Sequence, residues 1–275
     1  MMTENEHNAG ELALNGASIH YETAGQGEPL LFIHADLADR RMWENQFEAF
    51  RDSHQVIRYD LRGSGQSSPQ EGDFAHREDL IALLDHLQLE QVHGIGNGEG
   101  ARVLLELAAL QAQRLSSLTL IAPVIEGYPW RERHLLPYET EIENFLAIAE
   151  YEQASELVAK RWLGSDFRKR NTAPPIIHKQ LQEMIVISLR NRNRYEAEEK
   201  NLLPSLNDRL DEIAVNSLLV IGDLDLQLYH EMTDRLQQKL RRSRRVSMTN
   251  TAHLPSLERP EEFNWRLKHF LRRGR

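Results

Sequence analysis

The sequence predicts a mixed α/β protein with a mostly parallel sheet flanked by helices, on three observations. Short apolar runs alternate with amphipathic stretches from residue 29 to residue 122, as strands and their crossover helices do. The alternation halts at about Tyr128 and resumes at Ser217, and the residues between are patterned as helix. Within the first half, Val92-His-Gly-Ile-Gly-Asn-Gly-Glu-Gly100 closes an apolar run and opens a helical one, so Gly96, Gly98 and Gly100 mark a tight strand-turn-helix.

The elements follow in order. Residues 1–10 are polar and are expected to be disordered. Glu11 to Gly25 reads as a hairpin turning at Asn15-Gly16. Pro29 to His34 is a continuous apolar run, as a strand buried on both faces requires. Met42 to Phe50 is an amphipathic helix, Gln55 to Asp60 the next strand, and Leu61 to Ser67 a glycine-bearing loop. A helix over Phe74–Leu87, a strand over 91–96, a helix over 99–114 and a strand over Ser117–Ala122 complete the first half. Residues 129–212, punctuated by Pro174-Pro175 and Pro204, are expected to form a helical cap inserted into a core domain of residues 11–128 and 213–275. Strand Ser217–Ile221, a helix over 227–241, strand Arg245–Thr249 and a helix from Pro260 to Arg272 end the chain. No repeat or low-complexity segment interrupts it.

Composition narrows the function. A chain of 275 residues with 40% hydrophobic and 27% charged content suits one large globular domain with an insertion. A net charge of −9 speaks against nucleic acid as a partner, and the run Arg241, Arg242, Arg244, Arg245 at a predicted helix end reads as a solvated, dipole-complementing surface. The absence of cysteine excludes disulfides, a thiol nucleophile and thiolate metal sites. No apolar run approaches the ~20 residues of a membrane helix and the polar start is no signal peptide, so a cytoplasmic protein without membrane partners is expected. Oligomeric state is not legible.

Five motifs, in order, carry a resemblance. His34-Ala35-Asp36 follows the first central strand, and Asp60-Leu-Arg-Gly-Ser-Gly-Gln-Ser67 follows the next. The glycine turn comes third. Gly222-Asp-Leu-Asp225 and Ala252-His253-Leu-Pro-Ser-Leu-Glu-Arg-Pro260 then follow the last two strands. With these, residues 11–272 resemble a capped α/β-hydrolase, of the broad group of esterases, enol-lactonases and C–C bond hydrolases. The resemblance implies the order nucleophile, acid, histidine, hence Gly98, Asp225 and His253. It also implies backbone oxyanion donors at Asp36 and Glu99, with Ala35 in the same loop and His34 packed beneath it. Ser64, Ser67 and Ser68 lie in a loop such proteins use structurally.

Gly98 stands where the family's turn reads Gly-x-Ser-x-Gly, and a glycine can neither attack a carbonyl nor form an acyl-enzyme. Conventional serine hydrolysis is therefore excluded for this chain. Three accounts stay open: a ligand-binding pseudo-hydrolase, a serine-free enzyme in which His253 and Asp225 activate water or deprotonate a substrate, or a serine hydrolase whose nucleophile was replaced by design. All share an apolar, carbonyl-containing small molecule as ligand. The Glu99 side chain is expected to point away or cap the helix.

The alternating glycines at 94, 96, 98 and 100 also suggest a dinucleotide loop, but their register is wrong and the acidic residue Glu106 falls inside the helix. No cofactor is expected. His20, His54, His86, His93 and His269 are scattered, and no metal site is expected. Trp130, His134, Tyr138, Phe145, Trp162 and Met184 read as pocket lining or, preferentially, as the core of the cap.

Overall fold

Pro29–Ile33 forms a strand in which Leu30 to Ile33 are all fully buried, so the continuous apolar run is what a strand covered on both faces needs. It belongs to a computed structural model that describes residues 7–14, 16–69, 72–129, 136–164, 174–192, 199–200 and 205–273. Strands β1 (Asn8–Leu14) and β2 (Ala17–Ala24) precede it as an antiparallel hairpin, with Gly16 at positive φ in the turn. Asn8, Ala9 and Gly10 pair with Thr23, Glu22 and Tyr21, so the ladder begins inside the stretch expected to be disordered. Asn15 lies outside the described residues.

With Pro29–Ile33 as β3, the chain continues through α1 (Glu44–Phe50), β4 (Gln55–Tyr59) and α2 (His76–His86). Next come β5 (Val92–Asn97), α3 (Glu99–Gln111) and β6 (Leu115–Ile121). Helices α4 (Leu136–Ala147), α5 (Tyr151–Trp162), α6 (Pro175–Arg192) and α7 (Leu206–Arg209) occupy the interval where strand patterning lapses. The sheet resumes with β7 (Ser217–Gly222), α8 (Gln227–Lys239) and β8 (Ser243–Met248), and α9 (Pro255–Glu258) and α10 (Pro260–Arg273) close the chain.

The strands lie in the order β1-β2-β4-β3-β5-β6-β7-β8. The first two pairings are antiparallel and the rest parallel. Apolar clusters cover both faces. One joins Phe32, Trp43, Phe47, Val220 and Phe263, and the other joins Leu31, Ile57, Leu104, Leu120 and Leu219. Adjacent residues Leu31 and Phe32 thus serve opposite layers, as the period-2 strand dictates.

The packed faces of α5 and α6 join the first cluster through Ala154, Val158, Leu181, Met184 and Ile185. The basic run splits. Arg241 and Arg242 follow α8, whereas Arg244 and Arg245 lie on β8, where Arg245 pairs with Asp234 at 3.1 Å. β8 runs two residues earlier than the apolar pattern suggests because Ser243 and Arg244 pair with Ser217 and Leu218. Among the described residues, no helix is long and apolar enough to cross a membrane.

Candidate functional site

Three loops at the carboxyl ends of parallel strands converge on the turn between β5 and α3, where ligands bind in open α/β sheets. Gly98 takes φ +52° and ψ −107°, a conformation that side-chain-bearing residues rarely adopt. Its neighbours are glycines for another reason. A Cβ on Gly96 would overlap the Gly100 carbonyl, and one on Gly100 would overlap the Ile33 carbonyl. Strand and helix therefore touch backbone to backbone there. Gly98 instead faces space, since a Cβ would lie 3.4 Å from His253 Nε2 and 3.9 Å from the Ala35 Cβ.

His253 follows β8 and is only 3% exposed. Its backbone N–H donates to the Trp162 carbonyl at 3.0 Å, and its carbonyl accepts from Asn97 Nδ2 at 3.2 Å. Nδ1 lies 3.2 Å from Asp225 Oδ2. Asp225 itself is fixed by accepting the Leu226 N–H at 2.8 Å on its other oxygen. The two loops are joined further by Leu224 N–H to the Thr251 carbonyl and Asn250 N–H to Asp223 Oδ1. With Nδ1–H directed at a carboxylate, Nε2 carries the lone pair, and among the described residues nothing bonds it.

Two aromatic rings pack against the imidazole. The Tyr229 centroid is 4.3 Å away and the Trp162 centroid 5.3 Å. Burial, reinforced by the charges of Asp225 and Asp36, pushes the Tyr229 phenol well above its ordinary range, so it stays protonated.

The third loop follows β3. Fully buried His34 accepts the Leu61 N–H at Nε2 (2.8 Å), which leaves Nδ1–H to donate to the Ala35 carbonyl at 2.7 Å. Its own carbonyl accepts the Gly100 N–H at 3.2 Å, so the loop is tied to the start of α3. As the first residue of α3, Glu99 carries an N–H that the helix cannot satisfy.

The Glu99 side chain turns to Arg102, whose Nε lies 2.9 Å from Glu99 Oε1, rather than toward Gly98. Arg102 also binds Glu106 and holds Glu199 Oε2 at 2.6 Å. Burial pushes the Glu106 carboxyl up to about 7, against the pull of Arg102 and with the repulsion of Glu199 and Glu99. His76, Glu99 and Glu199 have ligand-type atoms within 4.8 Å of one another, a grouping the sequence did not reveal. The Arg102 guanidinium already stands on both carboxylates, which makes the group an ion-pair knot tying residue 199 to α3.

The structure thus brings Gly98, His253, Asp225, Ala35 and Asp36 together and leaves the loop serines in structural work. Ser67 Oγ donates to the Asp60 carbonyl, Ser68 Oγ accepts the Ser18 N–H, and Ser64 Oγ accepts from Ser188. Phe145 and Met184 pack in the core, whereas Trp162 reaches the histidine. Trp130, His134 and the Tyr138 side chain lie outside the described residues. Tyr229 and Asn97 escaped the sequence reading. The available signals were Tyr229 one helical turn beyond Asp225 and Asn97 as the polar residue that ends β5 just before the glycine turn.

Comparison with known proteins agrees with this fold. A stretch of 106 residues is 38% identical to the dihydrolipoyllysine-residue acetyltransferase component of the acetoin cleaving system of Pseudomonas putida, and it spans 29% of that protein. The chain is 26% identical over 244 residues to 3-oxoadipate enol-lactonase 1 of Acinetobacter baylyi, covering 85% of each. The crystal structure of the enol-lactonase from Burkholderia xenovorans LB400 superposes with a TM-score of 0.78, covering 95% of this chain and 99% of that one at 21% identity. Residues 30–266 match the alpha/beta hydrolase family as a whole, and with the sheet order and the convergent loops this places the chain in the alpha/beta hydrolase family.

Proposed function

We propose that this chain binds a small apolar ester- or lactone-like molecule and hydrolyses it without a serine nucleophile. Gly98 occupies the nucleophile position, His253 is the base and Asp225 its orienting acid. One observation carries the reading: His253 Nε2 faces the space over Gly98 at 3.4 Å from a notional Cβ, while Nδ1 is held by Asp225.

In the proposed step, Nε2 takes a proton from water as the water oxygen attacks the carbonyl carbon. The backbone N–H groups of Asp36 and Glu99 receive the negative charge on the carbonyl oxygen, and Ala35 and His34 hold that loop. Collapse of the tetrahedral species expels the alkoxide, which takes the proton back from His253. Asp225 keeps the tautomer and stabilises the imidazolium. No cofactor enters the step. In this reading the helical insertion within residues 129–212 sets the pocket as a cap, and residues 11–128 and 213–275 are the core that carries the chemistry.

The test compares this protein with its Gly98→Ser variant on nitrophenyl esters and enol-lactones. Slow turnover without a burst by the unsubstituted protein, against a burst by the variant, is the expected result. Absence of turnover from the unsubstituted protein, with activity only in the variant, would overturn the serine-free step and leave a hydrolase site lacking its nucleophile.

A further inference from the structure

The imidazole of His253 has more partners than a base with one acid needs. With the ring tethered at Cβ, a single Nδ1 contact at 3.2 Å restrains one combination of the two side-chain torsions and leaves the other to packing. The plane is set by packing, against Tyr229 at a centroid distance of 4.3 Å and Trp162 at 5.3 Å. The backbone on either side is pinned separately, by the Trp162 carbonyl and Asn97 Nδ2. With 3% of the residue exposed, water has almost no access to the Nδ1–H.

The two rings come from different parts of the fold. Tyr229 sits in the first turn of α8, four positions after Asp225, so one helix start supplies both the acid and a packing face. Trp162 is the last residue of α5 and supplies both a ring and a carbonyl from the helical insertion.

We propose that Tyr229 and Trp162 are positioning residues for His253: their rings hold the imidazole plane so that Nε2 faces Gly98 and shield its Nδ1–H···Asp225 bond from water. The proposal rests on the reading of His253 as the base, and its experiment is separable from that reading. Two aromatic neighbours packed merely as core would be replaceable by any side chain that lets the protein fold. Positioning residues would not be, and a smaller ring would rescue where a methyl would not.

Proton NMR at neutral pH supplies the readout, because an imidazole N–H bonded to a carboxylate resonates far downfield and is visible only when shielded from exchange. His253→Ala assigns the signal by its loss. The expected result is a signal in the unsubstituted protein, in Tyr229→Phe and in Trp162→Phe, and its loss in Tyr229→Ala and Trp162→Ala with amide dispersion intact. Trp162→Ala removes the ring but keeps the backbone carbonyl, so it carries the test should Tyr229→Ala fail to fold. A folded alanine variant that keeps the signal, or an unsubstituted protein that never shows it, overturns the proposal. Turnover unchanged by His253→Ala would instead overturn the base reading and leave the resonance result standing.

Discussion

His253 Nε2 and Gly98, 155 positions apart in the chain, face each other across 3.4 Å measured to the point where a Cβ on the glycine would sit. The distance is ordinary van der Waals contact, so a serine would fit the space even though it would strain the backbone at φ +52°. Gly98→Ser should therefore fold, lose about 1–2 kcal/mol of stability for the left-handed conformation, and gain an acyl-enzyme burst. Urea melts and stopped-flow ester hydrolysis read the two effects.

The neighbouring glycine should behave differently. In Gly100→Ala the new methyl meets the Ile33 carbonyl, a backbone atom that cannot turn aside. The expected cost is about 3 kcal/mol or more, against about 1–2 kcal/mol for Gly98→Ala. Comparable midpoints for the two variants in denaturant would contradict the close approach of α3 to β3.

Asp225→Asn should leave the fold intact and reduce turnover by roughly 10⁴-fold, the effect of losing the correct histidine tautomer. His253→Ala should reduce it to background. Both are measured in whichever of the unsubstituted and Gly98→Ser proteins turns over faster. Retained activity in His253→Ala would remove the base from the mechanism.

Glu106 yields a prediction about stability. Its folded carboxyl titrates at about 7 against an ordinary 4.5 for glutamate, so the native state holds an extra proton between those values. Its contribution is fully present below about pH 4.5 and is lost as pH rises through 7. Glu106→Gln, which keeps the proton-bearing form in effect, should match the unsubstituted protein at low pH and exceed it by roughly 3 kcal/mol at pH 8. Denaturant midpoints across that range check it. Identical pH slopes in the two proteins would show that Glu106 ionises normally.

Much of the fold was legible because its strands are buried on both faces. Pro29–Ile33 and Ser217–Gly222 stand out as apolar runs and Gln55–Tyr59 as a short β-branched stretch, and their ends fall within one residue of the reading. The hairpin start was not legible, since Asn8 to Gly10 pair through backbone groups that side-chain polarity does not report. Of the site, Gly98, Asp225 and His253 could be read because each sits in a loop with its own glycine or proline punctuation. Tyr229 could not, and Trp162 was read only as one of several pocket-or-core candidates, because an aromatic residue on an amphipathic helix looks the same whether it meets core or histidine. Arg102 was hidden for a similar reason. Its carboxylate partner Glu199 lies 97 positions away, and only the folded chain joins them.

β8 ends the sheet, and its two successive arginines bear on how the molecule behaves among its own copies. An outermost strand offers unpaired amide and carbonyl groups to any extended chain that drifts alongside. Here such a visitor would have to accommodate Arg244, which is exposed, and Arg245, which is already paired to Asp234. Adding a ninth strand would mean crowding cations against the newcomer and stripping their hydration. The sheet is thereby guarded against growth at the margin nearest the histidine loop.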